Sequence, residues 1–117
     1  MKKLLFTIVF LASLACNTQK QEIVYYESGE VKSKVNSVDG KRQGERIVYY
    51  KSGEVRDKLN FVDGIQQGES ITYYESGVVL GKANYLDGKL QGKLIEYYES
   101  GEIKEIKNYK DGVLIEN

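Results

Sequence analysis

The chain has no His, no Trp and no Pro, and Cys16 is its only cysteine. Without His there is no imidazole base, no His-containing triad, and no His ligand for zinc or copper. One cysteine excludes an internal disulfide framework. An excess of one charge sign is missing too, since 17 Lys and Arg face 17 Asp and Glu. Setting aside an N-terminal leader that carries Lys2 and Lys3 leaves 15 basic against 17 acidic side chains, a net of −2. That balance excludes a polybasic protein held to nucleic acid or anionic lipid by bulk charge. At 117 residues the chain is long enough for one small domain and too short for two. What it has in abundance is tyrosine, with ten Tyr beside three Phe.

Long apolar runs are confined to the N-terminus. Lys2 and Lys3 precede a run from Leu4 to Leu14 broken only by Thr7 and Ser13. Eleven helical residues span about 16 Å, roughly half a bilayer core, so the segment is too short to cross and reads as a secretory signal. The run ends Ser13-Leu14-Ala15-Cys16, which resembles a bacterial lipoprotein signal with Ser13 in place of the usual Leu. That resemblance implies a signal peptide over residues 1–15 and a lipidated Cys16 as the first mature residue. More than one acyl chain on Cys16 would suffice for stable anchoring. Residues 16–22 then read as the lipidated cysteine and a polar tether. The alternative is a secreted or periplasmic protein whose cysteine is incidental.

Beyond the tether the sequence repeats every 24 residues. Tyr-Tyr recurs at 25–26, 49–50, 73–74 and 97–98, and Ser-Gly at 28–29, 52–53, 76–77 and 100–101. Asp-Gly recurs at 39–40, 63–64, 87–88 and 111–112, with Asn36, Asn60, Asn84 and Asn108 three residues before each Asp. Gln-Gly stands at 43–44, 67–68 and 91–92, and Ile115-Glu116 replaces it in the last copy. The reading is four tandem copies, 23–46, 47–70, 71–94 and 95–117.

Each copy predicts two strands. Ile47-Val48-Tyr49-Tyr50 is β-branched and aromatic, and it runs into a turn where Gly53 can take the positive φ of a tight hairpin or of a bulge after a type I turn. Gly29, Gly77 and Gly101 hold the same place. Val55 to Val62 is the second strand, closed by Asp63-Gly64, a type I′ hairpin signal shared with Asp39-Gly40, Asp87-Gly88 and Asp111-Gly112. Consecutive hairpins without crossovers predict an all-β fold: an elongated open antiparallel meander of about eight strands after an N-terminal signal helix.

Strand alternation separates two faces. Ile23, Tyr25, Ile47, Tyr49, Ile71, Tyr73, Ile95 and Tyr97 share one, which is the expected core. Val24, Val48, Thr72 and Glu96 share the other with Tyr26, Tyr50, Tyr74 and Tyr98, expected to be partly wet. Lys34, Lys58 and Lys82 are expected to interrupt the face opposite Leu59 and Phe61.

Residues 87–104 (DGKLQGKLIEYYESGEIK) resemble the MORN-repeat variant family, whose G-x-x-x-x-Y-Y-x-x-G-x-[VIL] pattern is met from Gly44, Gly68 and Gly92. The resemblance spans residues 23–117 and implies an elongated sheet of hairpins. Bacterial members include antitoxins of the YwqK type and exported lipoproteins, and eukaryotic members are linked to membranes, phosphoinositides and scaffolding. Tyr-Tyr, Ser-Gly and the absence of Trp depart from the eukaryotic core pattern.

The repeated polar residues offer chemistry and structure at once. The Asp column could ligate calcium, but each turn brings one carboxylate where such a site needs several converging, and the turn itself explains the Asp. Tyr26, Tyr50, Tyr74 and Tyr98 form a candidate binding stripe or else a cross-strand ladder. The Asn column could meet a polar ligand or tie hairpin ends together. Gly44, Gly68 and Gly92 call for a covering ring or a bulge. No phosphate loop, metal site, cofactor site or catalytic residue is expected.

The expected function is therefore a non-catalytic lipoprotein of the bacterial cell envelope, anchored to the membrane through Cys16. Its sheet would bind a protein or surface polymer, and not nucleic acid. Toxin neutralisation and lipid-headgroup binding are the alternatives. The open sheet also leaves edges through which a dimer could pair, and residues 113–117 are available as a final short strand.

Overall fold

The computed structural model describes residues 18–115; the expected signal peptide and Cys16 lie outside the described residues. The strands are β1 (Gln19–Tyr25), β2 (Val31–Val38), β3 (Lys41–Tyr49), β4 (Val55–Val62), β5 (Ile65–Gln66) and β6 (Gly68–Tyr73). They continue as β7 (Val79–Leu86), β8 (Lys89–Leu90), β9 (Gly92–Tyr97), β10 (Ile103–Lys110) and β11 (Val113–Ile115). All belong to one antiparallel sheet in the order β1-β2-β3-β4-β6-β7-β9-β10-β11, with β5 on β4 and β8 on β7. The short β5 and β8 are the leading ends of β6 and β9, cut off by one residue each, Gln67 and Gln91. The fold is thus the all-β, elongated open sheet of hairpins. The strand beyond the expected eight is β11, which pairs only with Asn108–Lys110. Gln19 to Glu22 are not free tether: they form the first part of β1, paired with Val35 to Val38.

Turn chemistry sets this topology. Gly29, Gly53, Gly77 and Gly101 have φ between 93° and 104°. In each, the glycine N–H donates to the carbonyl of the second Tyr of the pair, and that Tyr's N–H donates across to the residue after the glycine. This is a type I turn closed by a glycine bulge. At the other ends, Asp39, Asp63, Asp87 and Asp111 have φ of 49° to 52° and the glycines after them 82° to 83°. Two successive positive φ values make the type I′ turn, whose twist matches that of the strands. Neighbouring copies are stitched where these turns meet: Gly64 N donates to Arg42 O, Gly88 N to Gln66 O and Gly112 N to Leu90 O, at 2.8–3.0 Å.

The register corrects the expected core. Across the sheet Ile23 pairs with Lys34, Lys34 with Ile47, Ile47 with Lys58, Lys58 with Ile71, and Ile71 with Lys82. Lys82 pairs with Ile95 and Ile95 with Ile106. The lysines, on the face opposite Leu59 and Phe61, therefore stand among the isoleucines of the expected core. The ammonium groups of Lys34, Lys58 and Lys82 keep that face in water, and Tyr25 on it is 57 % exposed. Burial collects instead on the other face, at Val48 (3 % exposed), Val35, Ser33 and Ser37. A one-layer sheet has no second layer to cover them. Long side chains fold over them, with Arg46 Nη2 reaching Ser33 Oγ at 3.5 Å and the Arg42 guanidinium over the Phe61 ring at 5.7 Å.

Candidate functional site

The candidate Tyr stripe is built at the Ser-Gly turns. Tyr26, Tyr50 and Tyr74 each donate their phenol hydroxyl one copy onward, to the backbone carbonyls of Tyr49, Tyr73 and Tyr97, at 2.5, 2.6 and 2.8 Å. One repeat's second tyrosine thus ties down the next repeat's first. Lys32 and Lys51 approach the Tyr26 ring at 5.7 Å, and Lys104 approaches the Tyr98 ring at 6.0 Å. Tyr98 has no following copy to reach among the described residues, and it is 51 % exposed. Three members of the stripe are therefore inter-repeat ties, and Tyr98 presents its ring outward.

Each strand pair ending in these tyrosines carries a bulge. Lys32, Arg56 and Lys104 are extra residues opposite Tyr25, Tyr49 and Tyr97, and Leu80 is the one opposite Tyr73. In the second copy the bulge assembles a polar cluster. Arg56 Nε donates to Asp57 Oδ2 at 2.9 Å, and Thr72 Oγ1 donates to Asp57 Oδ1 at 2.7 Å. The Asp57 bond raises the Arg56 pKa above its ordinary value. Burial pushes the Tyr50 phenol up, with the Arg56 charge opposing it. Burial, with Arg42 nearby, lowers that of Arg46. Asp57 thus joins Arg56 and Thr72 in one hydrogen-bonded cluster.

The Asp column sits in four separate turns. Among the described residues no group of three or more His, Cys, Asp or Glu could hold a metal ion. Asp39 accepts from Thr18 N at 3.0 Å, and the partners of Asp63, Asp87 and Asp111 are glutamines that sequence reasoning overlooked. Gln67 Nε2 donates to Asp87 Oδ1 at 2.7 Å, and Asp87 N donates back to Gln67 Oε1 at 2.9 Å. Asp111 N donates to Gln91 Oε1 at 2.8 Å, and Gln43 donates to the Asp63 carboxylate. The signal was present, since each Gln of the Gln-Gly pairs precedes an Asp-Gly by 20 residues. The tie between hairpin ends thus runs through Gln and Asp, while Asn60 and Asn84 supply backbone carbonyls to Gln67 N and Gln91 N at 2.8 Å.

Gly44, Gly68 and Gly92 pair with Phe61, Tyr85 and Tyr109. Their φ values of 83° to 86° make them bulge glycines, and nothing lies within 4 Å of where a Cβ would stand. Backbone conformation, not a covering ring, requires glycine here.

The other face carries two shallow hollows in equivalent places one copy apart. One is lined by Val31, Lys34, Tyr49 and Gly53 among others, and the next by Val55, Lys58, Tyr73 and Gly77. Lys34 Nζ stands 5.6 Å from the centre of the Tyr49 ring. Sequence reasoning placed the lysines opposite Leu59 and Phe61, but it did not align their rows with the isoleucine rows across the strands, so it missed this juxtaposition.

The repeating strand–turn–strand unit is also what a protein-family model described as MORN repeat variant recognises, at residues 19–39, 42–63, 66–87 and 90–111. The chain belongs to the MORN repeat variant family. Each matched MORN unit holds one Ser-Gly hairpin and ends at or next to the Asp of the following turn. No curated protein matches the chain.

Proposed function

We propose that this MORN-repeat sheet is a non-catalytic binding module of the bacterial cell envelope, tethered there by a lipid on Cys16 and engaging a protein or a surface polymer. The observation that supports it is the single-layer sheet itself. With no second layer among the described residues it presents both faces along its length, and Tyr98, Ile103, Val113, Leu114 and Ile115 are exposed in its last strands and turns, Val113 at 64 %. Repetition suits the role, because each copy presents the same groups at a fixed step to an extended partner.

The test is chemical crosslinking in the source envelope with the full chain. Specific capture of one component, together with membrane retention that Cys16→Ser abolishes, is the expected result. Crosslinks only to bulk envelope proteins, or unchanged retention of Cys16→Ser, would overturn the corresponding half of the proposal.

A further inference from the structure

We infer that the Lys–Ile face is a docking surface for an extended anionic polysaccharide, an inference that rests on the binding-module reading and gives it a ligand class. Charge is the first argument. The chain is neutral overall, yet its strand residues are sorted by face. Alternation from the paired rows places Lys34, Lys58, Lys82 and Lys93 on this face, against Glu45 and Glu69. Among the described residues, Lys34, Lys58 and Lys82 take part in none of the ion pairs, which are Arg42–Glu22, Arg56–Asp57 and Lys107–Glu105. Their half-buried stems lie between isoleucines, which holds the ammonium groups in a row.

Spacing and neighbours choose the anion. Successive lysines are two strands apart, about 10 Å along the sheet. Along a nucleic-acid duplex each strand carries a phosphate per roughly 3.4 Å of axis, about three for each lysine, and would bring uncompensated charge. A flat anionic membrane would meet an acidic rim at the Ser-Gly turns, where Glu30 and Glu54 line the hollows of this face. A single chain can lie along the lysine row inside that rim. A polysaccharide with a carboxylate on every second sugar places one negative charge at about each lysine. Tyr49, Tyr73 and Tyr97 are the aromatic surfaces beside the lysines, each half-buried and on the same face, as sugar C–H faces require. The equivalent hollows beside Lys34 and Lys58, each with one glutamate, Glu30 or Glu54, in its wall, give every second sugar the same seat.

The test uses the full chain and four probes: hyaluronan, which has a carboxylate on alternate sugars, neutral dextran, phosphatidylglycerol vesicles and an oligothymidylate. The expected result is salt-sensitive binding of hyaluronan in preference to the other three. The triple variant Lys34→Gln, Lys58→Gln, Lys82→Gln should weaken it by about tenfold or more, as three screened charge contacts would. The corresponding triple Arg variant should retain binding, and Lys20→Gln with Lys107→Gln, on the other face, should leave it unchanged. Circular dichroism melts show that each variant is folded. No hyaluronan binding, equal binding by the folded Gln variant, or tighter binding of vesicles or oligothymidylate would overturn the inference. If crosslinking in the envelope still captures a specific component in that event, the binding-module reading survives and only the ligand class falls.

Discussion

Gln67 and Asp87 clasp each other twice, the Asp87 amide donating to Gln67 Oε1 and Gln67 Nε2 donating to the Asp87 carboxylate. The clasp joins a strand bulge to the next type I′ turn, so it fixes the spacing between hairpins. Gln67→Ala removes both bonds and should cost about 1 kcal/mol, allowing for exposure. Gln43→Ala, which loses only the Asp63 bond, should cost less. Urea denaturation midpoints of the two variants check the order.

Tyr74 and Tyr98 occupy the same place in successive copies but have different duties. Tyr74→Phe deletes the hydroxyl that meets the Tyr97 carbonyl and should destabilise by about 0.5–1.5 kcal/mol. Tyr98→Phe should be close to neutral. Equal losses in thermal melts would contradict the inter-repeat tie.

Gly92 and Gly81 separate conformation from space. Gly92 has φ of 83° with room around it, so Gly92→Ala should cost about 1–2 kcal/mol through backbone strain alone. Gly81 lies in β7 without a positive φ, and an added Cβ would sit 3.4 Å from the Ile95 carbonyl oxygen. There Gly81→Ala should be neutral or stabilising by up to about 0.5 kcal/mol, because glycine weakens a strand interior. Equilibrium unfolding of both variants decides it.

Burial raises the Tyr50 pKa above its ordinary value of 10.0. The unfolded chain therefore loses this proton first as pH rises. Stability attached to Tyr50 is intact below about pH 10 and is lost as pH climbs through the raised folded value. Melting temperature should fall between about pH 9 and 11, and Tyr50→Phe should flatten that slope. A slope unchanged by the substitution would show that other groups carry it.

Much of the architecture was legible because its determinants are local. Asp63-Gly64 adopts two positive φ values for the reason any Asp-Gly does, and Gly53 closes its turn through bonds within five residues. The Gln67–Asp87 clasp was harder to see. Its partners are 20 residues apart, and neither residue type alone announces the other. The Tyr26 stripe was legible as a column, but its hydroxyl acceptors are backbone atoms that a sequence does not place.

The sequence by itself determined a 24-residue period, hairpins in fixed order and therefore an antiparallel meander, since turn conformation depends on the few residues within each turn. Only the tertiary structure decided which face is buried and where charge collects. Those depend on cross-strand register: the bulges at Lys32, Arg56 and Leu80 set which side chains stand opposite one another. The result places Lys34, Lys58 and Lys82 beside isoleucines and turns a neutral chain into a sheet with a cationic face.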